Sequence, residues 1–176
     1  MDARTQKPAR QVVELEVDGE TIEATIAPHR LLVDVLRDAC GRTSVKEGCE
    51  SASCGACTVL VDDVPRLACI TPAADVIGSK IRTAESLRSS DGRLHALQEA
   101  FIHHHAVQCG FCTPGMLMAG LALLEENSRP TEQEVRDAIA GNLCRCTGYV
   151  RIVRAILAAA QTLGARSERR LPEMAS

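Results

Sequence analysis

Nine cysteines in 176 residues are the feature of this chain that could do chemistry, and eight of them fall into two spaced sets. The first set is Cys49, Cys54, Cys57 and Cys69, with spacing C-x4-C-x2-C and a fourth thiol farther along the chain. That is the plant-type arrangement of four thiolates around a [2Fe–2S] cluster. Gly48 and Gly55, with the small residues Ala52, Ser53 and Ala56, let the loop turn backbone N–H groups toward sulfur; Cys69 is expected to reach the second iron from a strand. The second set is Cys109 and Cys112 within Gln108-Cys109-Gly110-Phe111-Cys112-Thr113-Pro114-Gly115, and Cys144 and Cys146 within Asn142-Leu143-Cys144-Arg145-Cys146-Thr147-Gly148-Tyr149. Both segments lead into helical sequence. Two ferric ions, two sulfides and four thiolates carry a formal charge of about −2, which unpaired N–H donors and positive dipole ends at helix starts stabilise. Two such starts facing each other would bracket one cluster with near two-fold symmetry.

A structural zinc site with four cysteine ligands is the competing use of either set. The x4 spacing and glycine-bearing loop of the first set favour iron. The ninth cysteine, Cys40, is expected as a small buried residue on the inner face of a helix. His103, His104 and His105 are consecutive, and neighbouring helical positions splay by about 100°, so they cannot converge on a metal and are expected at a partly solvated helix end.

The elements that must hold these thiols are legible from periodicity. Val12–Val17 and Thr21–Ile26 are β-rich runs joined through Asp18-Gly19, a hairpin signal. Leu31, Leu32, Val35, Leu36 and Ala39 recur at helical spacing, ending near Cys40-Gly41. After the cysteine loop from Glu47 to Cys57, a second hairpin is predicted from Thr58–Val61 and Val64–Cys69, turning at Asp62-Asp63, then a short strand at Lys80–Thr83. Beyond Glu85 the pattern becomes helical, over Leu94–Val107, Thr113–Glu126, Thr131–Ala140 and Gly148–Leu163, with a T-x-x-E capping box at Thr131–Glu134. The expected fold is α+β: an N-terminal β-grasp, plant-type ferredoxin domain over residues 10–86, then a four-helix bundle [2Fe–2S] domain over 87–165. Residues 166–176 are expected as a polar tail, disordered or strapped across a partner.

Composition narrows the function classes. A net charge of −3 and 2% aromatic residues leave neither the basic footprint nor the stacking surface of a nucleic-acid binder. The polar segment from Met1 to Arg10 has no apolar h-region after it, and no stretch approaches the roughly 20 apolar residues of a membrane span. A cytoplasmic protein is therefore expected, where many cysteines point to metal rather than disulfides. There is no G-x-G-x-x-G after a strand, no P-loop, and no spare length for a further large cofactor-binding domain.

Together with Gly48-Cys49-Glu50, Cys54-Gly55-Ala56-Cys57-Thr58-Val59 and Gly141, the two helical-half motifs resemble the iron–sulfur small subunits of the xanthine oxidase family of molybdenum hydroxylases, over about Val12 to Ala160. That group includes small subunits of carbon monoxide dehydrogenase, 4-hydroxybenzoyl-CoA reductase, and N-heterocycle and aldehyde oxidoreductases. The resemblance implies a metal-ligand set of Cys49, Cys54, Cys57 and Cys69 facing a medium FAD subunit. It implies a second set, Cys109, Cys112, Cys144 and Cys146, close to the molybdopterin (cytosine dinucleotide) of a large subunit, with Gln108 and Cys146 against the pterin. Electrons would pass from molybdenum through the two [2Fe–2S] clusters to FAD, in a heterotrimer or a dimer of heterotrimers, with the substrate site on another subunit. Many relatives carry glycine where this chain has Glu50-Ser51-Ala52-Ser53, a difference bearing on cluster potential rather than on binding. Val64-Pro65-Arg66-Leu67-Ala68-Cys69 resembles the aromatic acyl-CoA reductase type, which favours an aromatic or N-heterocyclic substrate over an aldehyde or carbon monoxide. A free-standing two-cluster ferredoxin and a zinc-stabilised interaction module are the alternatives from other classes.

Overall fold

The computed structural model describes residues 10–170. Strands β1 (Gln11–Val17) and β2 (Glu20–Ile26) form an antiparallel hairpin in which Gln11 faces Ile26 and Val17 faces Glu20. Alternation decides which face is buried: Val13, Leu15 and Val17 point inward while Glu14 and Glu16 stay in solvent. At the turn Asp18 takes the left-handed conformation, with φ of 54°. Its nearly buried carboxylate accepts from the Thr83 amide at 2.6 Å, the Thr83 hydroxyl at 2.8 Å and Arg42 Nε at 2.8 Å. One turn residue thus ties the hairpin to the chain after the first helix and to the end of the sheet, offsetting the cost of its backbone.

Helix α1 (Leu32–Asp34) continues as a π-helical turn over Val35–Ala39 and is closed by Cys40. Strands β3 (Thr58–Val61), β4 (Val64–Leu67) and β5 (Lys80–Arg82) complete a five-stranded sheet of order β2-β1-β5-β3-β4. β5 runs parallel to β1 and antiparallel to β3. The β3–β4 turn is made by Asp62 and Asp63, both left-handed, and Asp62 Oδ1 accepts from the Lys80 amide at 2.8 Å.

β3 is buried along its whole length because each of its faces meets a different core. Val59 and Val61 pack with Leu15, Leu32, Leu36 and Ile81 beneath α1. Leu60, pointing the other way, joins the helical core of Leu97, Phe101, Met116, Ile152 and Ile156.

That second core is built by α2 (Ala96–His103), α3 (Thr113–Glu126), α4 (Glu132–Ala138) and α5 (Val150–Arg170). The helix expected over Leu94–Val107 is shorter at both ends. His95 caps it, Nδ1 accepting from the Leu97 amide at 3.2 Å. It stops in a Schellman motif with His105 left-handed, where the Ala106 amide reaches Phe101 O at 2.9 Å and the His105 amide reaches Ile102 O at 3.1 Å. No glycine marks that stop, so periodicity overshoots it. The capping box on α4 forms as expected: Thr131 Oγ1 accepts from the Glu134 amide at 3.2 Å and Glu134 Oε2 from the Thr131 amide at 2.6 Å. The expected tail from 166 is corrected in part, since α5 continues to Arg170; positions 171–176 lie outside the described residues.

Candidate metal centres

The first four thiols are gathered by the β3–β4 hairpin and the loop that precedes it. Cys57 stands immediately before β3, and Cys69 lies two residues beyond β4. Cys69 is therefore in the turn after the strand, not on the strand as expected, while strand pairing of Thr58 with Leu67 still brings it to Cys57. In the loop Glu50, Ala52 and Gly55 are left-handed, with φ of 52°, 60° and 69°. Interspersed left-handed residues curl a backbone so that successive N–H groups converge, the geometry of an anion nest. The amides of Ser51 and Ser53 accordingly donate to Cys49 sulfur, the Ala56 amide to Cys54 and the Cys69 amide to Cys57.

The second set comes from two helix entries. Cys112 is the N-cap of α3, and left-handed Gly110 turns the chain so that the Phe111 amide donates to Cys109 sulfur. Cys144 and Cys146 lie in the loop before α5, farther from a helix start than Cys112. Cys109 and Cys146 sulfurs are 3.5 Å apart and exposed; Cys112 and Cys144 are hydrogen-bonded and deeper. Among the described residues, no three side chains close on one point as a single metal ion requires. Each set consists of two thiol pairs instead: Cys49 with Cys54 and Cys57 with Cys69, then Cys109 with Cys146 and Cys112 with Cys144. Two pairs per set match two irons taking two thiolates each. The cradle is close-fitting too, since a Cβ on Gly48 would stand 3.1 Å from both Cys54 Sγ and Phe111 Cε1.

The two sets meet at a buried knot that spacing did not reveal. Leu143 N–H donates to Cys54 O at 2.8 Å, joining a residue of the first set to the neighbour of Cys144. Beside it, Asn142 Nδ2 donates to Gly55 O at 2.8 Å and to Thr58 Oγ1 at 3.1 Å, and Thr58 Oγ1 donates to Gly55 O at 2.7 Å. A Cβ on Gly115 would lie 2.4 Å from Gly55 O, and one on Gly55 2.4 Å from Gly141 O. Asn142 was visible only as part of a motif; no periodicity announces a side chain that serves a loop far away in sequence.

The family described as "2Fe-2S iron-sulfur cluster binding domain" matches residues 2–99, and the "[2Fe-2S] binding domain" family matches residues 83–157. The chain is 48% identical over 161 residues to the nicotine 6-hydroxylase small subunit of Paenarthrobacter nicotinovorans, covering 91% of this chain and 96% of the relative. It is 44% identical to the nicotinate dehydrogenase small FeS subunit of Eubacterium barkeri, over 82% of this chain and 91% of that one. Quinoline 2-oxidoreductase from Pseudomonas putida 86 superimposes with a TM-score of 0.84 at 41% identity, over 89% of this chain and 97% of the matched chain. The chain belongs to the iron–sulfur small subunits of the xanthine oxidase family.

In this small subunit, each thiol set mixes thiols whose deprotonation the surroundings favour with thiols whose deprotonation they oppose. Hydrogen bonds from the Ser51 amide, then the Cys54 thiol, the Ser51 hydroxyl and the Ser53 amide draw the Cys49 thiol down to about 6. The Phe111 amide, followed by the Cys146 thiol, holds Cys109 below its usual range. Burial pushes Cys112 up to about 12 and raises Cys57 as well. Gln108 is exposed and precedes exposed Cys109, whose sulfur lies 3.5 Å from that of exposed Cys146. Cys40 is 6% exposed in the core under α1, as expected. His103, His104 and His105 are exposed at the end of α2, also as expected.

Proposed function

We propose that this chain is the electron-transfer subunit of a molybdenum hydroxylase, carrying electrons from a molybdopterin centre on a large subunit to FAD on a medium subunit. Bound at the two thiol sets, the [2Fe–2S] clusters would supply one-electron steps between a two-electron donor and acceptor. The protein's own contribution is to hold the two sets in fixed contact. The observation that carries the proposal is the hydrogen bond from Leu143 N–H to Cys54 O, which links the sets beside the buried Asn142–Gly55–Thr58 contacts. Exposed Cys109 and Cys146 lie at the outer end of the helical-half set, and half-buried Cys49 lies in the exposed loop of the other.

In this proposal Cys49, Cys54, Cys57 and Cys69 ligate one cluster in a ferredoxin-type half of residues 10–86, turned toward the flavin subunit. Cys109, Cys112, Cys144 and Cys146 ligate the other in a four-helix half of residues 87–165, where Gln108 and Cys146 meet the pterin. The assembly would be a heterotrimer, single or doubled, in the cytoplasm. Names of relatives that act on nicotine, nicotinate and quinoline favour an N-heterocyclic substrate.

Gentle purification of the tagged chain with its natural partners tests this. The expected complex contains molybdenum, FAD and two [2Fe–2S] clusters for each copy of this chain, and N-heterocycles bleach the cluster absorbance under anaerobic conditions. Isolation as a stable monomer without molybdenum or flavin would instead show a free-standing ferredoxin. A colourless protein containing zinc would show an interaction module.

A further inference from the structure

Thr147 makes contacts that none of the roles above uses. Its Oγ1 lies 3.1 Å from Cys144 Sγ, and its backbone N–H lies 3.5 Å from the same sulfur. The hydroxyl is oriented from behind, because Tyr149 N–H donates to Thr147 Oγ1 at 3.3 Å. Tyr149 is fixed in turn: it is left-handed at φ 67°, and its phenol oxygen accepts from the Cys144 amide at 2.9 Å. A metal-bound thiolate carries no proton, so in the loaded site the hydrogen between Oγ1 and Sγ must come from Thr147.

We propose that Thr147 is a positioning residue that sets the reduction potential of the helical-half cluster through its hydroxyl bond to Cys144 sulfur. The inference rests on Cys144 being an iron ligand. Reduction adds one electron and hence one negative charge to a site that is already anionic. A donor aimed at sulfur stabilises the more negative state more strongly, so the bond raises the potential. Cys144 is only 8% exposed, so water does not compete for the sulfur and the low local dielectric strengthens the bond. Its position also matters, since Cys144 directly follows Leu143, whose amide bonds the Cys54 carbonyl of the other set. A shift at Cys144 changes how an electron divides between the two clusters.

The test is a potentiometric titration of the purified complex, followed by EPR of both clusters, for wild type, Thr147→Val and Thr147→Ser. Iron and sulfide are measured first. Content short of two clusters in the wild-type chain would remove the ligand assignment itself, a failure separate from that of the Thr147 role. Thr147→Val is expected to lower the equilibrium constant for reducing one cluster roughly tenfold, about 59 mV for a one-electron couple. The other cluster stays unchanged, and Thr147→Ser keeps the wild-type value. Equal potentials in wild type and Thr147→Val overturn the proposal, as does Thr147→Ser behaving like Thr147→Val. If Thr147→Val loses iron, Thr147→Ala takes its place; iron loss from both shows a purely structural role and also overturns it.

Discussion

Asn142 is buried at 5% exposure, and its amide donates to two acceptors more than eighty residues earlier, one in the cysteine loop and one at the start of β3. Removing it leaves Gly55 O and Thr58 Oγ1 without that donor in a buried junction, so Asn142→Ala should cost about 1–3 kcal/mol, read from urea unfolding of the loaded chain. Gly55→Ala should be worse. Its Cβ would meet backbone at 2.4 Å, and its φ of +69° already disfavours a side chain, so loss of both clusters from the purified protein is expected. The thiols also give a pH dependence with a definite sign. In the cluster-free chain, burial holds Cys112 protonated up to about 12, above its value in an unfolded chain. Stability from that neutral thiol is complete below about 8.5 and is lost as pH rises toward about 12, as the unfolded chain ionises first. Urea midpoints of the cluster-free chain should therefore fall over that range. Cluster insertion has the opposite sign, since metal must displace those protons, and acidification should slow reconstitution.

β3 is the element on which the architecture turns. Its alternate residues belong to different cores, so Leu60→Ala removes packing from the helical half through a residue of the sheet. The expected cost is about 2–5 kcal/mol. Helical circular dichroism and cluster absorbance should shift to lower urea together; separate shifts would show that the halves unfold independently. The ion pair between Arg82 on β5 and Glu125 on α3 crosses the same seam, but both partners are partly exposed. Arg82→Gln should change stability by about 1 kcal/mol at most.

At the scale of the molecule, apolar side chains stand exposed beside the helical-half thiols. Phe111 is 46% exposed and Leu143 54%, each adjacent in sequence to a cysteine of that set. Large exposed apolar residues around exposed thiols suit a face that another subunit covers. Phe111→Asp combined with Leu143→Asp should retain iron, because the Leu143 junction bond is made by its backbone, yet lose the molybdenum subunit on size-exclusion chromatography. An intact complex would place the interface elsewhere.

What the sequence determined by itself was local. Both cysteine spacings, both hairpins, the α4 cap and the burial of Cys40 follow from residue type and short-range periodicity, which act within a turn or a strand pair. The end of α2 escaped because His105 takes a left-handed place usually given to glycine. The placement of Cys69 in a turn escaped because β4 stops at Leu67, two residues before the cysteine. Only the tertiary structure decided how the two thiol sets relate. The Leu143 amide meeting the Cys54 carbonyl, Asn142 reaching Gly55 and Thr58, and β3 dividing its faces between two cores are contacts between residues distant along the chain. Close packing fixes such contacts only after the whole core forms, and no short window of sequence contains both partners.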